Sequence, residues 1–233
     1  MKPALVLVPG LLCDHALWQP QVDALSADFE ILIPDMTQQE AMPEMAEAVL
    51  RAAPSARFAL AGLSMGGYVA MEIMRQSPHR VTRLALLDTR ARPDTAGETA
   101  RRLELTRLAQ TAKSFTPVTR RMLPLLVHAS RVKDAPLVRT IREMADRTGV
   151  EGYVRQQKAI MSRADGRFDL RKVRAPTLVL CGRQDAITSL EMHEEMASII
   201  PGAKLVVIED CGHLSTLERP DEVNAALRDW LAV

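Results

Sequence analysis

Short apolar runs separated by longer stretches of helical periodicity set the pattern of this chain. Six runs read as strands: ALVLV (4–8), FEILI (29–33), FALA (58–61), RLALLD (83–88), TLVLCG (177–182) and KLVVIE (204–209). Most are apolar throughout rather than at alternate positions, which predicts strands covered on both faces, as in a parallel sheet with crossover helices. Trp18, Val22 and Leu25 stand at i, i+4 and i+7, and Val223, Ala226, Leu227, Trp230 and Leu231 repeat the helical pattern further on. TSLEMHEEMASII predicts another helix, with Thr188 and Glu191 at capping-box spacing and Pro201-Gly202 ending the run.

The alternation stops between residues 91 and 168. That stretch keeps helical periodicity, is broken by Pro93, Pro117, Pro124, Pro136, Gly149, Gly152 and Gly166, and holds no convincing strand. It predicts a helical insertion between the fourth and fifth strands, with the sheet domain split over 1–90 and 169–233. Charge marks the same boundary. Residues 91–168 carry 16 Lys and Arg against 8 Asp and Glu, while the remainder carries 14 against 21. A net charge of +1 therefore conceals a basic insertion on an acidic body.

Composition narrows the class without naming a chemistry. At 233 residues, 47% hydrophobic and 25% charged, the chain suits one globular domain with an insertion. Near-neutral net charge argues against generic nucleic-acid binding, and no apolar run reaches the roughly 18 residues of a membrane span. The opening MKPALVLVPGLLCD has the outline of a lipoprotein signal, but Pro9-Gly10 interrupts its apolar run and Leu12 is too large for the position before a cleavage site. Cys13, Cys181 and Cys211 are odd in number with no repeated spacing, so neither a disulfide framework nor a zinc site is expected. A cytoplasmic protein without metal or cofactor is the expectation.

The stretch FALAGLSMGGYVAMEIM (58–74) sets one hydroxyl among glycines between two apolar segments. A strand that passes at once into a helix must turn tightly. The residue at the turn is strained, and its side chain is thrust out at the C-terminal edge of the sheet. Gly62 and Gly66 flank Ser64 where side chains would collide with a neighbouring strand or helix. Similar five-residue patterns occur as ordinary glycine-rich turns, but a strand before and an apolar helix after favour an exposed nucleophile.

A serine hydroxyl needs a base, and the base needs an orienting group. Of the five histidines, His193 in an acidic helical run and His79 after Ser77-Pro78 read as surface residues, and His15 after the first strand is a minor rival. His128 follows RRMLPLLV in the insertion and reads as packing or a substrate contact. His213 follows the last strand in VVIEDCGHLS, where a base reaches Ser64 from the sheet edge. The acid is expected between the two in sequence. Asp185, in LVLCGRQDAIT, is favoured; Asp88, in LLDT, is the rival, otherwise a cap or a polar lining residue. Gly10 lets the loop after the first strand bend back toward the serine, so the amides of Leu11 and Met65 make a donor pair for an oxyanion.

Five stretches in order, LVPGLLCDHALWQPQ, LAGLSMGGYVAMEIM, VTRLALLDT, APTLVLCGRQDAIT and VVIEDCGHLSTLERPDEV, resemble the α/β-hydrolases along nearly the whole chain. The nearest branch holds carboxylesterases, 3-oxoadipate enol-lactonase-like enzymes and pimeloyl-carrier-protein methyl ester esterases. The resemblance implies about six parallel strands flanked by helices, a Ser64–Asp185–His213 triad, an oxyanion hole at Leu11 and Met65, and a cap formed by residues 91–168. It also marks departures. Pro9-Gly10 stands where many relatives have His-Gly, so a contact that stiffens the oxyanion loop is expected to be missing. PDMTQQEAMPEM replaces the Gly-rich turn often seen after the second strand.

The expected reaction is hydrolysis of a small-to-medium carboxylic ester, lactone or thioester through an acyl-enzyme. Gly10, Met122, His128 and Met161 are the expected pocket residues, and the Met, Leu and Val content of the insertion predicts a flexible aliphatic site. The basic insertion predicts an anionic substrate or an acyl carrier protein as partner, unless its arginines are solvated or complement the acidic body. Two other readings stay open: a lyase or C–C bond hydrolase using the same triad, as in succinyl-cyclohexadiene carboxylate synthases, and a ligand receptor with little turnover.

Overall fold

The computed structural model describes residues 2–112 and 116–232, the side chains of 116–120 excepted. Six strands form one wholly parallel sheet: β1 (Ala4–Val8), β2 (Glu30–Leu32), β3 (Phe58–Leu63), β4 (Val81–Leu87), β5 (Thr177–Gly182) and β6 (Lys204–Ile208), in the order β2-β1-β3-β4-β5-β6. Between and after them run α1 (Gln19–Leu25), α2 (Met42–Ala52), α3 (Met65–Gln76), α4 (Ala96–Ala112), α5 (Thr116–Leu126), α6 (Ala135–Met161), α7 (Arg167–Leu170), α8 (Leu190–Ile199), α9 (Ser215–Glu218) and α10 (Pro220–Ala232). This is the parallel sheet with crossover helices that the apolar runs predicted, and the six strands that the resemblance implied.

The two faces of the sheet divide the strand residues by their period of two. Val6 and Val8 of β1, Leu60 of β3 and Leu84 and Leu86 of β4 pack with Met45 and Val49 of α2 and Val69 and Ile73 of α3. Leu5, Leu7, Ala61, Leu87 and Leu180 face the other way, onto Trp18, Leu25 of α1 and Val223, Leu227 and Trp230 of α10. Burial on both faces is why these strands read as continuous apolar runs.

Some expectations shift on contact with the tertiary structure. FEILI yields only a three-residue edge strand, because only Ala4, Leu5 and Val6 of β1 are paired with it. Around Trp18 the chain makes a short 3₁₀ turn before α1, so Gln21 rather than Val22 is fully buried there. The cap of α8 is Ser189, one residue later than the capping-box spacing suggests, which leaves the Thr188 hydroxyl for another partner.

Helices α4 to α7 lie between β4 and β5, and among the described residues of this region no strand interrupts them. Gly149, at φ 71 and ψ 162, breaks α6 into two helical segments. Part of the basic excess is matched by the acidic body: Arg147 meets Asp14, Lys158 meets Glu40 and Arg92 meets Glu195. Exposed pairs of this kind are worth about 0–1 kcal/mol each, so they set how the insertion docks more than how strongly. A deeper cluster joins α4 to the β4 exit: Asp94, 3% exposed, pairs with Arg90, Arg102 and Arg163.

Backbone passes directly over backbone where β1, β3 and α3 meet. A Cβ on Gly66 would lie 2.1 Å from the Val8 carbonyl oxygen, and one on Gly62 would lie 2.1 Å from the Gly66 oxygen. Gly97 in α4, by contrast, has open space around it. Gly66→Ala is expected to cost at least about 1–3 kcal/mol, the range for overpacking a close-packed site. Gly97→Ala is expected to be neutral or slightly stabilising. Urea unfolding of the two variants checks the contrast, and equal stabilities would contradict it.

Candidate active site

The C-terminal ends of the strands bring five loops to one rim. Ser64 sits between β3 and α3 with φ 56 and ψ −115, a conformation that costs a non-glycine residue about 1–3 kcal/mol. Four hydrogen bonds hold it there. Ser64 N donates to Leu87 O at 3.0 Å, and Ser64 O accepts from Gly67 N, Tyr68 N and the Thr89 hydroxyl at 2.9, 3.3 and 2.8 Å. The sheet and the first turn of α3 thus stabilise a backbone shape that the serine alone would not adopt.

His213, after β6, places Nε2 2.9 Å from Ser64 Oγ and Nδ1 2.7 Å from Asp185 Oδ2. A carboxylate only accepts, so Nδ1 carries the proton and Nε2 is left to accept the Ser64 hydroxyl. Asp185 also accepts from Ile187 N at 2.8 Å, Thr188 N at 2.9 Å and the Thr188 hydroxyl at 2.7 Å. Burial alone would raise its pKa, but His213 and these donors outweigh burial and hold it below the usual carboxylate value. For His213, burial opposes the cation, and the Asp185 charge and hydrogen bond override it, so the imidazole pKa lies above its ordinary value.

Asp88, the sequence rival, ends β4 in a left-handed conformation at φ 44 but serves a different partner. Its Oδ1 accepts from Gly182 N at 3.1 Å and its Oδ2 from Ser215 N and Oγ at 3.2 and 2.5 Å. Complete burial, with the nearby Asp185 charge, pushes its pKa up to about 8. Asp88 therefore ties the β5 exit to α9, and Asp185 alone of the two hydrogen-bonds the imidazole.

Two further histidine expectations change. His193 is fully buried rather than superficial. Its Nε2 accepts from Thr89 N at 2.9 Å and its Nδ1 donates to Ser189 O at 3.0 Å, so it braces the residue that holds the Ser64 carbonyl. Burial lowers its pKa. His128 caps a short 3₁₀ turn, with Nδ1 2.8 Å from Ser130 Oγ.

A cavity of about 60 Å³ opens over Ser64 and His213, lined also by Gly10, Leu11, Tyr68, Arg102, Met122 and Ile160. Gly10 and Met122 stand where the sequence put them; His128 and Met161 do not line this space. Met161 misses it because one helical step turns a side chain by about 100°, which gives the place to Ile160. A smaller apolar cavity adjoins through Leu11, Cys13, Met122 and Leu126, and reaches Ile141 and Met144 of α6. Helices of the insertion thus form one wall of the site.

Leu11 borders the cavity, and Met65 is the first residue of α3. A Cβ on Gly10 would lie 3.3 Å from Ser64 Cβ, so the two loops are adjacent. The stiffening contact expected to be lost with Pro9 is supplied from elsewhere. Leu12 N donates to Gln156 Oε1 at 3.0 Å, and Gln156 Nε2 donates to Met36 O at 3.2 Å. Leu12 itself is held at φ 59. Glu218 plays a similar part for the histidine loop, accepting from Gly212 N at 3.0 Å and from His128 N at 2.7 Å. Neither residue carried a sequence signal for these roles: Gln156 acts on Leu12, 144 positions away, and Glu218 joins its own neighbouring histidine loop to His128, 90 positions away.

A serine at a strained strand-to-helix turn, linked through histidine to a buried aspartate at the rim of a parallel sheet, defines the nucleophile-turn class of α/β proteins. The chain belongs to the α/β-hydrolase fold family, whose pattern it matches over residues 3–220. It is 25% identical to the pimeloyl-[acyl-carrier protein] methyl ester esterase of Nitrosomonas europaea, over 94% of this chain and 92% of that protein. It is 27% identical to 3-oxoadipate enol-lactonase 1 of Acinetobacter baylyi, over 94% and 85%. Among solved structures, a thermophilic esterase from Thermogutta terrifontis, determined with malate bound, superposes with a TM-score of 0.93 at 31% identity, covering 100% of this chain and 90% of that one. The enol-lactonase of Burkholderia xenovorans gives 0.90 at 26%, covering 100% and 92%. These relatives support hydrolase activity.

The two buried imidazoles should titrate in opposite directions. In an NMR pH titration, His213 is expected to protonate above the ordinary histidine value of about 6.5 and His193 below it. A His213 that titrates below His193 would contradict the electrostatic account of the site.

Proposed function

We propose that this protein is a serine hydrolase that cleaves a small-to-medium carboxylic ester, lactone or thioester through an acyl-enzyme. The observation that carries the reading is the hydrogen-bonded sequence Ser64–His213–Asp185 beneath a cavity. His213 takes the Ser64 proton as Oγ attacks the carbonyl, and the amides of Leu11 and Met65 receive the developing oxyanion. The same imidazole then protonates the leaving oxygen or sulfur, and water repeats the cycle on the acyl-enzyme. Ionised Asp185 keeps the imidazole in the required tautomer and stabilises its cation. No step calls for a metal or cofactor.

In this reading residues 1–90 and 169–233 form the catalytic core and 91–168 a cap that shapes the pocket. The adjoining apolar space suits an aliphatic group. An anionic substrate or an acyl carrier protein is the partner best matched to the basic cap. Among the described residues no helix is long and apolar enough to cross a membrane. Three buried free thiols accord with a reducing compartment, which we take to be the cytoplasm.

Ser64→Ala is expected to lower kcat on p-nitrophenyl esters by about a thousandfold or more. A folded variant with unchanged turnover would end the assignment. Acyl lengths from acetate to octanoate also separate the neighbouring readings: uniformly slow wild-type turnover points to C–C or lyase chemistry, and none at all to a receptor.

Gln156→Leu removes the hydrogen bonds that fix the Leu12 loop while keeping bulk. Misplacing an oxyanion donor costs on the order of 10–1000-fold in kcat. The variant is expected to lose kcat rather than raise KM, and steady-state kinetics that show only a KM change would remove Gln156 from this role.

A further inference from the structure

The cavity over Ser64 is apolar around most of its wall, with one departure. Among its described lining residues, Arg102 of α4 is the only permanently charged group. The guanidinium is not a loose surface cation reaching inward. Nε donates to Asp94 Oδ2 at 2.6 Å, Nη2 reaches Asp94 Oδ1 at 3.4 Å, and Nη1 donates to Gln157 Oε1 at 3.0 Å. Asp94 and Gln157 are 3% and 1% exposed, so both partners are fixed inside the protein.

Asp94 does not belong to Arg102 alone. Arg90 and Arg163 pair with the same carboxylate at 2.7 and 2.8 Å, and Arg90 also pairs with Glu98. Three guanidinium groups thus share two carboxylates, which leaves one positive charge uncompensated. Burial would raise the Asp94 pKa, but Arg163 and Arg102 override it and hold it at about 2, so the imbalance persists across the working pH range. Arg163 lies over the face of Tyr68, 4.2 Å from the ring centroid, and Tyr68 itself lines the cavity. The excess charge therefore borders the site. Arg102 has five N–H donors. Three are used among the described residues, and one on each Nη remains for a guest. A free donor on each Nη of one planar group lets the guanidinium engage both oxygens of a carboxylate.

We propose that Arg102 anchors a free carboxylate on the substrate and determines specificity at the proposed ester-hydrolysing site. The substrate class is then an ester or lactone that carries a carboxylate on one arm. Its uncharged arm occupies the apolar extension toward Ile141 and Met144, and its carbonyl lies over Ser64. This inference rests on the serine-hydrolase reading for the reaction, though not for the binding. It replaces a diffuse attraction to the basic cap by one side chain held in place by α6 and the β4 exit. Arg102 shares Asp94 with two other guanidinium groups, so a substrate carboxylate supplies negative charge that the cluster lacks and a neutral arm does not.

The test compares monomethyl esters of four- to seven-carbon dicarboxylic acids with methyl esters of the monocarboxylic acids of the same length. The wild-type protein should favour the anionic member of at least one pair by tenfold or more in kcat/KM. Arg102→Gln should lower that anionic-to-neutral ratio at least tenfold, chiefly through KM, and Arg102→Lys should recover part of it. A wild type without preference, or a loss in Arg102→Gln shared equally by both esters, would overturn the proposal. A binding arm separates this failure from failure of the hydrolase reading. Ser64→Ala protein should bind monomethyl glutarate in a calorimetric titration, and Ser64→Ala with Arg102→Gln should not. Retained binding difference without any ester turnover supports the anchor and counts against hydrolysis, whereas equal binding, or none, overturns the anchor itself.

Discussion

The site depends on contact between backbones at the crossing of β1, β3 and α3. With Gly62 and Gly66 there is no Cβ between the β3 exit, the first turn of α3 and the Val8 carbonyl. That closeness forces Ser64 into its left-handed turn and aims Oγ at the rim, and the neighbouring Leu87, Gly67 and Thr89 hydrogen bonds keep it there. A local strain of a few kcal/mol is tolerable because it is embedded in a sheet whose core strands are buried on both faces. Removing the crossing would relax the turn, and the serine would then be an ordinary loop residue.

Around that turn, similar carboxyl groups do different things because their surroundings differ. Asp185 is ionised by His213 and three hydrogen-bond donors. Asp88, a short way along the same rim, has its pKa raised by burial and by the charge of Asp185, and it acts as a tie between β5 and α9. Glu218 braces the histidine loop against the insertion, and Asp94 collects three arginines beside the cavity. Burial penalises the charge on both Asp88 and Asp185, and the direct contact of Asp185 with the imidazole is what separates them.

The insertion joins the site by polar grips as well as by apolar packing. Gln156 reaches from α6 to the loop after β1, and the Leu126 carbonyl accepts from His213 N at 3.1 Å. Both loops beside Ser64 are therefore held from the side of the helices. The cavity and the helices over it form one mechanical unit, which is why a loop lacking the usual histidine before its glycine still has a defined shape.

The succession of strands along the chain, the helical stretch between the fourth and fifth of them and the turn at Ser64 were legible because each rests on neighbours in sequence: apolar periodicity, proline and glycine breaks, and a strand running straight into a helix. Ser64, His213 and Asp185 could be named because a parallel sheet delivers the residues after its strands to one edge. Other features were not legible. A histidine in an acidic helical run gives no sign that its helix packs against the β4 exit, so His193 looked superficial. Nothing near Gln156, Glu218 or Arg102 announces a partner 6 to 144 positions away, and Met161 and Ile160 differ only by where α6 is rotated against the sheet. Local chemistry and period determined the elements and the residue types at the rim. Which side chains met there, and with what charge, was decided only when crossover packing fixed the distances between loops far apart in the chain.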